Sequence, residues 1–218
     1  MKRFVFLTMA AGLLFQAGCH RKAVTPPLPP PLPPVVEKTF GDVEMDGSGL
    51  ALQYKGMRIL IDPTPSLLSA QGGVADFVLF TRAAAIPAGG FRPDQKVIGP
   101  GDGNAAATRA GLARYKVMAG GQRLMLSKDQ AFAFVGGMKG RGAAGETVNG
   151  YLLEFDNGRN IVVVGSFADA SPVREFVYTL RDDGKEVQLG FFSIPAPGGE
   201  NGAAELAGLL QPRLAVFT

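Results

Sequence analysis

The chain has 218 residues, 46% of them hydrophobic, and a formal net charge of +3. Its single histidine, His20, and its single cysteine, Cys19, both lie near the N-terminus. A zinc site elsewhere would therefore have to use carboxylates alone, and neither a Ser-His-Asp nor a Cys-His catalytic arrangement can form there. The cations are dispersed, with no basic run, which argues against nucleic acid as a partner.

Residues 1–19 have the features of a bacterial export signal. Lys2 and Arg3 precede an uncharged apolar stretch, which is shorter than the roughly 20 residues of a transmembrane helix. The segment 14–19, Leu-Phe-Gln-Ala-Gly-Cys, resembles the lipobox of bacterial lipoproteins, although Gln16 departs from the usual aliphatic residue. This resemblance implies that a lipidated Cys19 anchors the protein to a membrane of the cell envelope, on its periplasmic or extracellular face. An ordinary cleaved signal with an incidental cysteine is the alternative.

Residues 20–37 form the predicted linker. The stretch 25–36, TPPLPPPLPPVV, is mostly proline, and each proline fixes φ and removes a backbone donor. This composition predicts an extended polyproline II spacer between the anchor and a folded domain. A ligand for a proline-recognising module is the alternative interpretation.

Residues 38–218 are long enough for one domain with a substantial core. In the first half, the apolar segments 50–54 and 57–61 flank Lys55-Gly56 and predict a hairpin that ends at Asp62. The apolar run 76–81 predicts a strand that is buried on both faces. Short strands are expected at 96–98, 115–118, 122–126 and 131–135.

The second half alternates between strands and helices. Segments 148–155 and 160–164 bracket a strong turn at Asp156-Asn157-Gly158-Arg159. Ser171-Pro172 predicts the start of a helix, and residues 203–210 predict a second helix before Pro212. Strands at 189–194 and 214–217 complete an order that implies parallel pairing with right-handed crossovers. The glycine-rich segment 137–142, with Lys139 and Arg141, is interpreted as a hairpin loop rather than an anion-binding loop.

The turn after strand 76–81 carries the most specific resemblance. The strand runs into Thr81 and then Arg82-Ala83-Ala84-Ala85-Ile86-Pro87. This segment resembles the place where metallo-β-lactamase-fold proteins carry Thr-His-x-His-x-Asp-His. In that alignment Arg82, Ala84, Ile86 and Pro87 replace metal ligands, and none of these side chains can ligate a metal.

The resemblance extends over residues 40–218 and implies an α/β fold, an αββα sandwich of two mixed β-sheets. It also implies that Ser48 stands where some relatives have a histidine, and that Ser166 replaces a bridging aspartate. Asp62 would face the same pocket and could pair with Arg82. The expected site is therefore a vestigial pocket without catalytic residues, metal or cofactor, and its residues are Ser48, Asp62, Arg82, Ala84, Ile86, Pro87 and Ser166.

These patterns predict a lipid-anchored envelope protein whose domain is a non-catalytic binding or structural module for an unidentified envelope protein or ligand. A first alternative is a hydrolase that uses carboxylates such as Asp62, Asp94 and Glu146 with magnesium or calcium. A second is a different α/β fold with a coincidental similarity.

Overall fold

The computed structural model describes residues 42–47, 49–69, 75–193 and 200–217. The predicted signal, the lipidation site Cys19, the linker and Ser48 lie outside these residues. Within the described part of the chain, no helix is both long enough and apolar enough to cross a membrane.

The first sheet has six strands in chain order and combines hairpins with parallel pairing. The strands are β1 (Val43–Asp46), β2 (Gly49–Tyr54), β3 (Met57–Ile61), β4 (Phe77–Leu79), β5 (Lys96–Gly99) and β6 (Arg114–Val117). Strands β1, β2 and β3 pair antiparallel, as expected for the predicted hairpin. Strands β3 to β6 pair parallel, an arrangement that the strand pattern of the first half did not predict.

The second sheet also has six strands, in the order β12-β11-β10-β9-β8-β7. They are β7 (Arg123–Lys128), β8 (Ala131–Arg141), β9 (Thr147–Phe155), β10 (Asn160–Val164), β11 (Leu189–Phe192) and β12 (Leu214–Phe217). Strands β10, β11 and β12 pair parallel, which confirms the parallel pairing predicted from alternating strands and helices. Both sheets are therefore mixed.

Helices cover the outer faces of both sheets. They are α1 (Pro65–Ser69), α2 (Asn104–Arg109), α3 (Ser171–Asp182) and α4 (Glu200–Leu210). Helix α3 begins at Ser171, whose backbone N–H donates to Oδ1 of Asp169 at 2.7 Å. Its buried residues Val173, Val177 and Leu180 recur at helical spacing, so that one face packs on the sheet.

Three hydrophobic clusters match this layered arrangement. The largest lies between the sheets and includes Ile59, Leu79 and Leu153. A second lies between the second sheet and helices α3 and α4, and a third between the first sheet and helices α1 and α2. The layers follow the order α, β, β, α, which confirms the predicted sandwich.

The glycine-rich segment 137–142 is not the hairpin loop that its composition predicted. Strand β8 continues through it to Arg141, and Lys139 pairs with Asn149 of β9. Gly137 and Met138 are buried. The turn instead lies between Gly142 and Glu146, where the backbone N–H of Gly145 donates to the carbonyl of Gly142 at 3.0 Å. Pairing with a long central strand therefore overrides the flexibility of the glycines.

Candidate functional site

The predicted vestigial site lies at one end of the sandwich, where strand ends from both sheets meet. Strands β3 and β4 are parallel neighbours, so Asp62 and Thr81, which follow their C-terminal ends, lie at the same end of the first sheet. The beginning of β9 approaches this edge from the second sheet, since Arg82 forms an isolated antiparallel bridge with Val148. The topology thus brings the predicted site residues of β3 and β4 together.

The Asp62 carboxylate is held by Thr81. Its Oδ1 accepts the backbone N–H of Thr81 at 2.8 Å, and its Oδ2 accepts the Thr81 hydroxyl at 2.5 Å. Burial raises the pKa of Asp62 to about 6, against the opposing effects of the Thr81 hydrogen bonds and the Arg82 charge. Asp62 has φ +42°, a left-handed conformation that aspartate tolerates. Its carboxylate therefore fixes the end of β4.

The predicted Asp62–Arg82 ion pair does not form. Among the described residues no nitrogen of Arg82 comes within 4.0 Å of an Asp62 oxygen, and the Arg82 side chain is exposed. Arg82 is instead extended, with φ −147°, and precedes the short 3-10 helix Ala83–Ala85. The adjacent Thr81 supplies both donors to Asp62 because its N–H and hydroxyl are closer to the carboxylate than the outward-pointing guanidinium.

The remaining residues of the turn serve the fold. Ala84 is exposed, Pro87 is half-buried, and Ile86 is buried in the outer cluster of the first sheet. Ser166 is half-buried and follows Gly165. A side chain at Gly165 would clash with the backbone carbonyl of Asn149 on the neighbouring strand of the same sheet, and its Cβ would lie 3.3 Å from Cβ of Thr81, which follows β4 of the first sheet.

Direct hydrogen bonds close this end of the sandwich. The backbone N–H of Asn149 donates to the carbonyl of Thr81 at 2.7 Å. The Tyr151 hydroxyl donates to the carbonyl of Phe80 at 2.6 Å, and burial raises the pKa of this tyrosine. Beside Asp62 the protein leaves a cavity of only about 20 Å³, which is room for about one water molecule.

Sequence reasoning missed the closing residues Thr81, Asn149 and Tyr151. In the sequence, Tyr151 is visible only as an apolar residue of a strand. The alternation of side chains along β9 does not show that its hydroxyl reaches the carbonyl of Phe80. Asn149 is fully buried, and its Nδ2 lies 3.3 Å from the Met118 carbonyl. A buried asparagine is an unusual residue in a strand, and this was the one available signal.

The carboxylates of the alternative hypothesis are not gathered into one site. Asp94 is exposed and lies 3.6 Å from Nε of Arg92, and Glu146 accepts the backbone N–H of Ala144 at 3.0 Å. Over residues 42–47, 49–69, 75–193 and 200–217, no three His, Cys, Asp or Glu side chains group closely enough to hold a metal ion. Among the residues predicted for the vestigial pocket, Asp62 is the one carboxylate, and none is a histidine or cysteine. This set of side chains does not fit the metals that the resemblance implies.

Solved structures with the same architecture include several metallo-β-lactamase-fold proteins. An isothiocyanate hydrolase from Delia radicum gut bacteria is 14% identical, with a TM-score of 0.55 over 81% of this chain and 83% of that chain. A possible metal-dependent hydrolase from Veillonella parvula is 13% identical, with a TM-score of 0.57 over 82% and 85%. The metallo-β-lactamase fold protein YhfI from Bacillus subtilis is 14% identical, with a TM-score of 0.53 over 82% and 81%.

The chain therefore has the metallo-β-lactamase fold. No protein-family model and no curated protein sequence matches it. At this level of identity the likeness establishes the fold, and the chemistry has to be argued from the residues of this chain.

Proposed function

We propose that this protein is a lipid-anchored component of the bacterial cell envelope whose metallo-β-lactamase-like domain is a non-catalytic binding or structural module. The main support for the proposal is that residues at the former site make contacts that stabilise the fold. Ile86 is packed into the core, the Asp62 carboxylate is bound by Thr81, and the Thr81 carbonyl accepts the N–H of Asn149. Each of these groups makes a structural contact at the place where a hydrolase of this fold needs an open site.

The N-terminal region supports the envelope location. A cationic start, a short apolar stretch and a cysteine at position 19 precede a proline-rich spacer. A lipidated cysteine followed by an extended spacer would hold the domain away from the membrane surface. The partner is then an envelope protein or ligand rather than nucleic acid, because the cations are dispersed.

A metal-dependent hydrolase is the second candidate, because two of the structural neighbours described above are named as hydrolases. In this candidate Asp62, Asp94 and Glu146 would hold magnesium or calcium. The contacts of Asp62 with Thr81, of Asp94 with Arg92 and of Glu146 with Ala144 argue against it.

Metal analysis and activity assays on the purified protein separate the two candidates. The protein would be incubated with zinc, manganese, magnesium and calcium, and then assayed against ester, phosphodiester and β-lactam substrates. We expect no stoichiometric metal and no turnover above buffer. Metal-dependent turnover that a chelator removes, and that Asp62→Asn abolishes while Asp129→Asn does not, would instead establish the carboxylate hydrolase.

A further inference from the structure

Strand β6 ends the first sheet and has one free side. Among the residues that the structure describes, β6 pairs with β5 alone. The backbone N–H of Met118, just after β6, donates to the carbonyl of Gly99 in β5 at 2.9 Å. Backbone groups of successive residues in a strand point to opposite sides, so those of Tyr115 and Val117 point away from β5. These N–H and carbonyl groups can pair with an added strand.

Three cations lie next to each other on the inner face of this edge. Arg114 and Lys116 are two residues apart on β6, and Lys96 of β5 is directly opposite Arg114 in the register. Lys116 is opposite Ile98, whose side chain packs between the sheets. All three cations are nevertheless exposed, so the second sheet does not cover β6 here.

The fold supplies no carboxylate to these three cations. Over the part of the chain that the structure describes, none of them has an Asp or Glu oxygen within 4.0 Å. The carboxylates closest to Lys96 along β4 and β5 already have cationic partners. Asp76 lies 3.1 Å from Nζ of Lys128, and Asp94 lies 3.6 Å from Nε of Arg92. The inner face of the edge therefore has an excess of positive charge.

Protection of the edge accounts for only part of this cluster. Charges of either sign on β6 would oppose its pairing with β6 of a second copy, because like charges repel. Lys96, however, lies on β5, which is not an edge strand. Its Nζ is 4.8 Å from the centroid of the Phe77 ring, and its neighbour across the register is Arg114. Like charges opposite each other on paired strands are unfavourable, so the cluster is suited to an anionic partner that lies beside it.

We propose that the β6 edge binds an extended acidic segment of a partner protein, which adds to the first sheet as a further strand. Strand addition takes its affinity from main-chain hydrogen bonds and its specificity from alternate side chains. Arg114 and Lys116 lie on one face, so residues i and i+2 of the partner on that face are aspartate or glutamate. The residue between them lies beside Tyr115, which is half-buried, and Val117, which is 38% exposed, and is therefore apolar. Lys96 adds to the positive potential of the acidic face.

This inference goes beyond the proposed function, because binding at β6 requires neither the anchoring nor the absence of catalysis. Its failure would leave that proposal standing.

Fluorescence anisotropy with a labelled peptide of alternating glutamate and valine tests the proposal directly. The full chain would carry Cys19→Ser, so that no acyl chain requires detergent. We expect saturable binding of this peptide and no binding of the alternating lysine–valine peptide. A peptide of the same composition, with its glutamates first and its valines last, should bind about 10-fold more weakly because only part of it matches the edge. The N-methylated form of the alternating peptide has the same charges but no backbone donors, and it should not bind.

Three results would overturn the proposal. The first is no saturable binding of the alternating glutamate peptide. The second is equal binding of its N-methylated form or of the peptide with separated glutamates and valines, which would show attraction of charge without strand addition. The third is binding to phosphatidylglycerol vesicles without binding of the glutamate peptide, which would favour a membrane surface.

Charge reversal locates the binding site on the molecule. Arg114→Glu with Lys116→Glu should abolish binding of the glutamate peptide and permit binding of the lysine peptide, while charges still protect the edge. Arg109→Glu with Lys139→Glu makes the same change in net charge at exposed residues outside β6 and should bind as the parent does. Urea unfolding would show that each variant is folded. If the edge variant is not, Lys96→Glu replaces it and should weaken binding about two- to five-fold. Parental affinity in the folded edge variant, or equal losses in the edge and control variants, would refute the assignment.

Discussion

Burial of the Asp62 carboxylate makes the stability of the fold depend on pH. Its pKa is raised from 3.8 in the unfolded chain to about 6, so the folded protein binds its proton more tightly than the unfolded chain does. The contribution of protonated Asp62 to stability is therefore fully present below about pH 4 and is lost as the pH rises to about 6. The shift corresponds to about 3 kcal/mol in the free energy of unfolding.

We expect Asp62→Asn to remove this contribution. An asparagine keeps an acceptor for the Thr81 N–H and tolerates the left-handed backbone, but it does not titrate. In urea unfolding at pH 4 and pH 7, the stability of the variant relative to the wild type should rise with pH by up to about 3 kcal/mol. Asp94→Asn, on an exposed carboxylate, should track the wild type. A constant difference between Asp62→Asn and wild type at both pH values would show that Asp62 does not titrate as described.

Gly165 is required by the close packing of the chain after β10 against strand β9 of the same sheet. A Cβ atom there would clash with the backbone carbonyl of Asn149, which cannot move without breaking its strand. Gly165→Ala should therefore destabilise the protein by about 1–3 kcal/mol, as overpacking does in other cores. Gly136→Ala, also in the second sheet but facing open space, should stay close to wild type in the same thermal unfolding experiment. Equal melting temperatures for both variants would contradict the description of this contact.

At the scale of elements, strand β6 is an exposed edge of the first sheet. Arg114 and Lys116 point to one face of β6, and Tyr115 points to the other. The face of Arg114 and Lys116 is the inner one, on which Ile98 of the neighbouring strand β5 packs between the sheets. Inward-pointing charges on an edge strand oppose pairing with another chain. The positive charges of β6 are thus explained by protection of this edge.

Replacing these charges should promote self-association. We expect Arg114→Val combined with Lys116→Val to shift the protein to larger species in size-exclusion chromatography with light scattering, because the edge then offers apolar side chains and free backbone groups. Arg109→Val with Arg213→Val removes the same charge outside the strands and serves as the control. If both double variants elute like the wild type at matched concentrations, the edge charges have no protective role.

Histidine substitutions in the turn Arg82–Pro87 test whether the vestigial site can bind a metal after only two changes. Arg82 and Ala84 are exposed, so both accept histidine without disturbing the core. We expect Arg82→His with Ala84→His to bind no stoichiometric zinc after dialysis, measured by elemental analysis, because Ile86, Pro87 and Ser166 supply none of the remaining ligands or their supports. One zinc per chain in the double variant, with none in the wild type, would show that the two substitutions suffice.

At the scale of the whole molecule, the anchor is a separate question from the fold. If Cys19 is lipidated, Cys19→Ser should move the protein from the membrane fraction to the soluble fraction, because no acyl chains then replace the apolar leader. The matched control Thr25→Ala, in the linker, should remain with the membranes. Quantitative immunoblotting of the fractions makes the comparison, and identical fractionation of both variants would mean that Cys19 is not the anchor.

Features that depend on local chemistry could be predicted from the sequence. The hairpin turn at residues 156–159 and the start of α3 at Ser171-Pro172 need only near neighbours, and the structure has both. That Arg82, Ala84, Ile86 and Pro87 cannot ligate a metal needed only the residue types, whereas their alignment with metal-ligand positions rests on the resemblance and stays a prediction. A guanidinium stays protonated and the other three side chains have no ligating atom, so in any fold these residues cannot ligate a metal, and this conclusion did not depend on tertiary structure.

Features that depend on contacts between distant residues could not be predicted in this way. The sequence brings Asp62 and Arg82 to one edge of the sheet, but only the tertiary structure places Thr81 as the partner of Asp62. The same holds for the extension of β8 through its glycines, since it depends on pairing with β9. Side-chain patterns report which residues are buried, whereas hydrogen-bond partners and open volumes are decided by how the buried elements fit together.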